Sequence, residues 1–429
     1  MVTFASLAFS ILKAQTMTEP IRMLHFADTH IGVENYGKTD PQTGLSSRVV
    51  DFLRRMDEMI EYARAEDIDL FIFAGDAFKT RSPNPTYQRE FAHRIRDLAE
   101  LGPVILLVGN HDLPPTVKKA SSIEIYETLA VPNVWVAQDY ETRVVATKRG
   151  EVVVATAPYP VRARLLEDAD TAGMTIAETD AQLQRELTAI LEDLAVEADE
   201  HDMPRVLTGH FTVDGAVVGS ERAIMLGRDI VVMRSAVADP RWDYVALGHI
   251  HKHQDLTKGR KGLPPVVYSG SMERIDFGEE GDAKGFCHVE LQRGKALWDF
   301  VQVDARRFVT LRADLRTSTQ PTEDMLTLIN KHQLKNTVVR IIMQLTPETE
   351  SHLNEALLRD ALRRAGVYHI AGLRKDVEQS RRQRLPSPEG LTNMELLEHY
   401  FIAKEVPTPR RKALLATAQQ IMDEVAEQE

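Results

Sequence analysis

Val104-Ile105-Leu106-Leu107-Val108-Gly109-Asn110-His111-Asp112 is the stretch on which the reading of this chain turns. Its apolar run, β-branched or leucine throughout, reads as a strand buried on both faces. Gly109 ends the run, and an amide, an imidazole and a carboxylate follow. Gly, Asn and Asp are ordinary turn residues, so the loop has a purely structural explanation. It has a functional one as well, because ligands of open α/β sheets bind beyond the carboxyl ends of the strands. The stretch alone leaves both open.

Moving outward, residues 21–27 form a short apolar strand followed by Asp28-Thr29-His30. Residues two apart on a strand point to one side, so Asp28 and His30 can converge. After a polar loop, residues 32–47, the positions Val49, Phe52, Leu53, Met56, Met59, Ile60 and Ala63 give a helical apolar face. Residues 70–75 predict a second strand ending at Asp76, and 87–101 a second helix. This β-α-β-α-β order predicts a mainly parallel sheet with crossover helices. Beyond it, 134–136 and 151–156 read as strands of a second sheet, and 176–198 as a long charged helix. A strand at 205–209 ends at His210, and one at 243–248 ends at His249-Ile250-His251. Residues 265–268, 285–291 and 296–303 complete an antiparallel-looking run.

Five strands thus finish in metal-competent groups, and five of the 14 histidines stand at those ends. Any one histidine is more often a hydrogen-bonded core residue; five such strand ends are not explained that way. The donors are imidazole, carboxylate and one amide. A structural zinc site would use cysteines and a calcium site an all-oxygen cage, whereas mixed nitrogen and oxygen suits Mn²⁺, Fe²⁺ or Zn²⁺. Seven protein ligands suit two ions, about 3.5–4 Å apart with one carboxylate bridging, a clamp for phosphoryl hydrolysis.

Composition sets the frame. A length of 429 residues predicts two or three units. The apolar share of 43% and charged share of 27% are those of a globular chain. Cys287 is the single cysteine, so there is no internal disulfide framework, and a cytoplasmic location is expected. No apolar run approaches the ~20 residues of a bilayer span, so no membrane association is expected. The segment 1–20 is expected to be a disordered extension or an early-placed start, with Met17 or Met23 as the true one. The net charge of −12 argues against polyanion binding over the whole surface, though bound divalent cations would make a local exception.

The ordered set D-T-H, G-D, G-N-H-D, G-H and G-H-I-H resembles the motifs of the calcineurin-like metallophosphoesterase superfamily. The stretch 268–279, Tyr-Ser-Gly-Ser-Met-Glu-Arg-Ile-Asp-Phe-Gly-Glu, followed by Lys284-Gly285-Phe286, resembles the SbcD-type nucleases within it. That resemblance implies two facing mixed β-sheets flanked by helices, with a small α/β capping domain and a C-terminal helical pair. It implies one ion held by Asp28, His30, Asp76 and His251, and a second by Asp76, Asn110, His210 and His249. His111 would orient phosphate and stabilise or protonate the leaving oxygen. Asp112 and His25 would support the ligands from behind; a turn carboxylate and a buried strand histidine are the plainer alternatives. The implied activity is manganese-dependent cleavage of DNA, exonucleolytic and endonucleolytic, at double-strand breaks. The implied partners are DNA, an SbcC-type coiled-coil ATPase and a second copy of the chain. A small-substrate phosphodiesterase and a non-catalytic scaffold are the rival readings.

The domain expectation is a nuclease domain over 21–305, a capping domain over 306–378, a linker over 379–390 and a helix-loop-helix over 391–429. The capping domain should contain strands at 308–313, 337–344 and 368–374 and helices at 323–331 and 348–365. Thr392 and Glu395 form a capping box, and Met394, Leu397, Tyr400, Phe401, Leu414, Leu415 and Ile421 lie on apolar helix faces that would bind the ATPase. Lys79, Lys258, Arg260 and Lys261 are candidate DNA contacts, or simply solvated charge. The linker's Arg381, Arg382 and Arg384 are read in the same way.

Overall fold

The computed structural model describes residues 19–41, 43–114, 119–166, 173–219, 229–378, 391–404 and 406–426. The extension up to residue 18 and the linker 379–390 lie outside the described residues. In chain order the strands are β1 (Ile21–Phe26), β2 (Leu70–Phe73), β3 (Val104–Leu107), β4 (Val134–Ala137), β5 (Glu141–Thr147), β6 (Gly150–Ala157), β7 (Arg205–His210), β8 (Thr212–Val213), β9 (Val231–Val232) and β10 (Tyr244–Gly248). There follow β11 (Gln254–Asp255), β12 (Val266–Tyr268), β13 (Gly285–Gln292), β14 (Lys295–Gln302), β15 (Phe308–Asp314), β16 (Val338–Leu345) and β17 (His369–Val377).

Two six-stranded sheets form the body, in the orders β14-β13-β1-β2-β3-β4 and β11-β12-β10-β7-β6-β5. β1 to β4 are parallel to one another, and so are β6, β7, β10 and β12. Both faces of β1, β2 and β3 are buried, which is why their sequences are continuous apolar runs. Alternate residues divide the work. Ile21, Met23, Leu70, Ile72, Ile105 and Leu107 meet Val152, Val154, Val206, Tyr244, Ala246 and Val267 between the sheets. Leu24, Phe26, Phe71, Phe73 and Leu106 turn outward onto the helices Ser47–Ala65 and Pro85–Ala99. On the far side Leu183, Leu187, Leu191 and Leu194 of the helix Ile176–Asp199 cover the second sheet.

Three expectations are corrected. Residues 134–137 are not in the second sheet but pair in parallel with β3. The stretches 285–292 and 295–302 join the first sheet through β1, while 266–268 lies parallel to β10 in the second. The expected helix 348–365 is two helices, Pro347–Ser351 and Glu355–Arg364, because the Asn354 side chain caps a new start by accepting from Leu357 N–H.

The chain divides into two compact units: 1–310 with 334–339 and 366–371, and 311–333 with 340–365 and 372–429. The second carries helices Pro321–Asn330 and Glu355–Arg364, with Met325, Ile329, Leu358 and Leu362 buried. It also carries Asn393–Ala403 and Thr408–Ala426, the first opened by the Thr392/Glu395 capping box. No residue of Asn393–Ala403 is buried, and Tyr400, Leu414 and Ile421 are exposed. No helix among the described residues is long and apolar enough to cross a membrane.

Candidate metal centre

The carboxyl ends of β1, β2, β3, β7 and β10 meet at one place, and the seven candidate ligands come with them. Asp28, His30 and His251 offer ligand atoms within 4.8 Å of one another, and so do Asp28, Asp76 and His210. His30 Nε2 stands 2.9 Å from His251 Nε2 and 3.7 Å from Asp76 Oδ2. On the other side of Asp76, the same Oδ2 is 3.4 Å from His210 Nε2. Asn110 Oδ1 lies 3.1 Å from His210 Nε2 and 3.0 Å from His249 Nδ1. Asp76 therefore sits between a group made by Asp28, His30 and His251 and one made by Asn110, His210 and His249.

The backbone is unusual at these positions. Asp28, His30, Asp76 and His249 have φ of +53°, +39°, +64° and +90°, the left-handed region that side chains seldom occupy. Gly109 is needed for another reason than a sharp turn. A Cβ there would fall on the Asp76 carboxylate and within 2.5 Å of its backbone nitrogen. Gly248 is likewise forced, since its Cβ would strike the Ala74 carbonyl.

Partners behind the histidines fix which ring nitrogen faces the centre. His210 Nδ1–H donates to the Ala74 carbonyl at 2.6 Å, His251 Nδ1–H to Glu279 at 2.8 Å, and His249 Nε2–H to Asp229 at 2.7 Å. Each carbonyl or carboxylate can only accept, so the opposite nitrogen faces the centre and supplies a lone pair once it carries no proton. Glu279 is buried and also takes Lys284 Nζ at 2.8 Å. Burial alone would raise its pKa, but Lys284 and His251 hold it far below the usual carboxylate range. Asp229 accepts from Tyr159 and Thr212 besides His249; burial works against its charge, yet these bonds bring it down to about 2.

Burial and the neighbouring His251 hold His30 well below the ordinary histidine range. Burial also resists charge on His210, but Asp76 overcomes it and carries the group up to about 9. Asp76 is pushed up by burial and pulled further down by His210. This crowding of imidazoles around buried carboxylates is what cations would relieve. The donor set fits two divalent ions.

His111 stands beside the group: its backbone N–H donates to Asp76 Oδ1 at 2.8 Å and its Nδ1–H to the Lys79 carbonyl at 2.8 Å. Its ring lies edge-on to His30, with centroids 4.9 Å apart. Lys79 thus touches the site through its carbonyl, while its ammonium is exposed. Asp112 reaches no candidate ligand side chain but accepts the backbone N–H groups of Asp76, Ala77 and Gly109 at 2.9, 3.0 and 3.0 Å. It ties the ends of β2 and β3 together. Burial and the Asp76 charge push it up to about 7. His25 is buried between the sheets, bonded to Tyr244 and the Leu247 carbonyl, and burial lowers it to about 3. Lys258, Arg260 and Lys261 lie on the exposed turn between β11 and β12.

The family model described as calcineurin-like phosphoesterase matches residues 21–253, the span that delivers all seven candidate ligands. The chain belongs to the calcineurin-like phosphoesterases. Among relatives of this phosphoesterase, the SbcD component of nuclease SbcCD from Escherichia coli (strain K12) is 28% identical over 283 residues, 64% of this chain and 66% of that protein. Its counterpart from Bacillus subtilis (strain 168) is 29% identical over 296 residues, 66% of this chain and 69% of its own. The Rhodobacter capsulatus counterpart is 26% identical over 292 residues, covering 64% and 68%. The phosphoesterase chain therefore matches about two thirds of the length of these relatives.

Sequence reasoning missed Asp229, Glu279, Lys284 and Tyr159. Asp229 stands just before the short strand β9, and no periodic pattern in the sequence marks it. Glu279 and Lys284 did have a signal, since both fall in the stretch that carried the SbcD resemblance. Their contact with His251 gives that stretch a physical job.

Proposed function

We propose that this phosphoesterase is a manganese-dependent DNA nuclease that hydrolyses phosphodiester bonds at DNA ends. It serves double-strand-break repair in the cytoplasm as the nuclease component of an SbcC-type ATPase complex. The observation that carries the reading is the convergence of His30 Nε2 and His251 Nε2 at 2.9 Å, with Asp76 linking them to the Asn110, His210 and His249 group. Asp28, His30, Asp76 and His251 would hold one ion, and Asp76, Asn110, His210 and His249 the other. Bound there, two divalent cations neutralise phosphate charge and acidify water. Mixed imidazole and carboxylate donors suit Mn²⁺.

The chain's own residues do the rest. His111 is fixed through Asp76 and Lys79 with its Nε2 unengaged by either bond, so it can hold a phosphate oxygen and give a proton to the leaving one. Glu279, Asp229 and the Ala74 carbonyl keep the ligand imidazoles in one tautomer. DNA as substrate, both exonucleolytic and endonucleolytic, is supported by the likeness to the SbcCD nucleases. The segment 306–378 would present DNA, with Lys79, Lys258, Arg260 and Lys261 as phosphate contacts. The exposed apolar residues of 391–429 would bind the ATPase, and two copies of the chain would pair.

The test is a Mn²⁺ titration of cleavage of linear DNA by the native protein and by His111→Gln. Native cleavage should rise with Mn²⁺, and His111→Gln should lose at least about a hundredfold in kcat. Equal cleavage by both would refute the role of His111, and no cleavage by the native protein would refute the nuclease reading.

A further inference from the structure

Next to the candidate metal centre is a cavity of about 340 Å³. Tyr159 forms one wall; its ring lies 5.8 Å from that of His249 and 6.4 Å from that of His210, and its hydroxyl donates to Asp229. Val108 and Leu113, on either side of the Asn110–His111–Asp112 loop, form another. Arg81, Lys119 and Arg164 line it too, and Arg81 and Lys119 are exposed. A second chamber of about 200 Å³ shares Val108, Leu113, Tyr159 and Arg164 and reaches inward to Tyr140 and Ile190. Gln138 lines both.

The two chambers differ in chemistry. The outer one is lined by Arg81, Lys119, Arg162 and Arg164 against the carboxylate of Glu124, a balance that favours phosphate. The inner one has apolar walls, the Gln138 amide and the carboxylates Asp139 and Glu186; Asp139 is paired with Arg164 at 3.6 Å and Glu186 adds a further negative charge, which disfavours a second phosphate. Its Tyr140 hydroxyl is buried and has no hydrogen-bond partner among the described residues. Such a group is costly to leave unpaired, so a ligand that supplies the partner gains by it. A planar heterocycle with a hydrogen-bonding edge suits apolar walls and the unpaired Tyr140 hydroxyl. The size is at the small end of ligand pockets, about 300–1,000 Å³, and suits one nucleotide rather than a duplex.

We propose that these chambers hold one nucleotide of the strand being cut, its phosphate among Arg81, Lys119 and Arg164 and its base against Tyr140 and Gln138. The proposal rests on the nuclease reading above. It separates substrates by what they place beside the scissile phosphate: a strand with a base there engages both chambers, and one with an abasic sugar engages only the outer.

The experiment uses the full chain with Mn²⁺ and three readouts: oligonucleotide cleavage, hydrolysis of bis(p-nitrophenyl) phosphate, and inhibition of each by dAMP or deoxyribose 5-phosphate. Tyr140→Phe, which removes only the hydroxyl, should weaken dAMP inhibition about fivefold and leave deoxyribose 5-phosphate inhibition unchanged. Arg164→Glu should weaken both inhibitors and raise KM for DNA about tenfold. Gln138→Trp, filling both chambers, should abolish competition by dAMP; native melting temperatures would show that the variants fold. Native-like dAMP inhibition in Tyr140→Phe and Gln138→Trp would overturn the site. If dAMP competed in a Tyr140-dependent manner but DNA were inert, the strand assignment and the nuclease reading would both fall. If DNA were cut and dAMP did not compete, only the pocket would fall.

Discussion

Replacing Gly109 with alanine adds one methyl group at the point where β2 and β3 end closest together. The new Cβ would lie on the Asp76 carboxylate oxygen, 2.5 Å from the Asp76 nitrogen and 2.9 Å from its Cγ. Ordinary contacts of this kind need about 3.5 Å, so the two loops would have to separate by roughly 1 Å. They cannot separate freely. The buried Asp112 carboxylate holds Gly109, Asp76 and Ala77 N–H groups at once, and His111 N–H is bonded to Asp76 Oδ1. The shift therefore falls on Asp76, the residue that links both ligand groups. Metal sites tolerate errors of about 0.2 Å, so Mn²⁺ binding should weaken and the second ion should be lost first. A displacement of about 1 Å at reacting groups costs on the order of a hundredfold in rate. Overpacking should cost about 1–3 kcal/mol of stability.

Calorimetric Mn²⁺ titration gives the stoichiometry and affinity, and hydrolysis of bis(p-nitrophenyl) phosphate gives the rate. Gly281→Ala is the matched control, because a Cβ there meets nothing within 4 Å and its φ is ordinary. If Gly109→Ala bound two ions with native affinity, the argument that close approach to Asp76 dictates this glycine would be wrong.

Glu279→Gln should lower Mn²⁺ affinity about 10- to 100-fold, since the carboxylate fixes His251 through Nδ1. It should also destabilise the chain by about 3–5 kcal/mol by leaving the buried Lys284 without its counterion, which urea denaturation would measure. Without metal, His210 carries a proton up to about 9, raised from 6.5. The stabilisation from this charge is complete below pH 6.5 and is lost as pH rises to about 9. A metal ion must displace that proton, so Mn²⁺ affinity should instead rise about tenfold per pH unit up to that point. Calorimetry in buffers of different ionisation enthalpy would count the proton released, and an affinity flat from pH 6.5 to 8.5 would refute the assignment. Deleting 391–429 should abolish association with the ATPase in co-purification while two ions still bind; association that survives would remove the helix pair from that role.

The strands that carry the site were legible because they are buried on both faces. Leu70–Phe73 and Val104–Leu107 cannot be amphipathic, so their apolar runs stand out, and the polar residue that follows each marks the sheet edge. Sheet membership was not legible in the same way. Val134–Ala137 lies in the first sheet and Val266–Tyr268 in the second, although both are short apolar strands; pairing is decided by crossover geometry and by what each face packs against. Asp229 was invisible for a third reason. It reaches His249 from a segment with neither helical nor strand period, and only tertiary contact brings it there.

Backbone strain is the part of the site that neither hydropathy nor spacing could reveal. Asp28, His30, Asp76 and His249 all have positive φ, and each such residue costs on the order of 1–3 kcal/mol. Glycine would remove that cost at every one of these positions. The chain keeps donors there instead, at the ends of strands whose burial and parallel pairing hold the backbone in place. Folding alone gains little from such a choice, because these groups bring carboxylate charge and clustered ligand atoms into a buried space. The choice becomes favourable when cations occupy that space, so the strain and the donors point to the same cause. The glycines nearby obey the complementary rule: at Gly75 and Gly109 a side chain would strike His210 and Asp76 themselves, and at Gly248 it would strike the Ala74 carbonyl that orients His210.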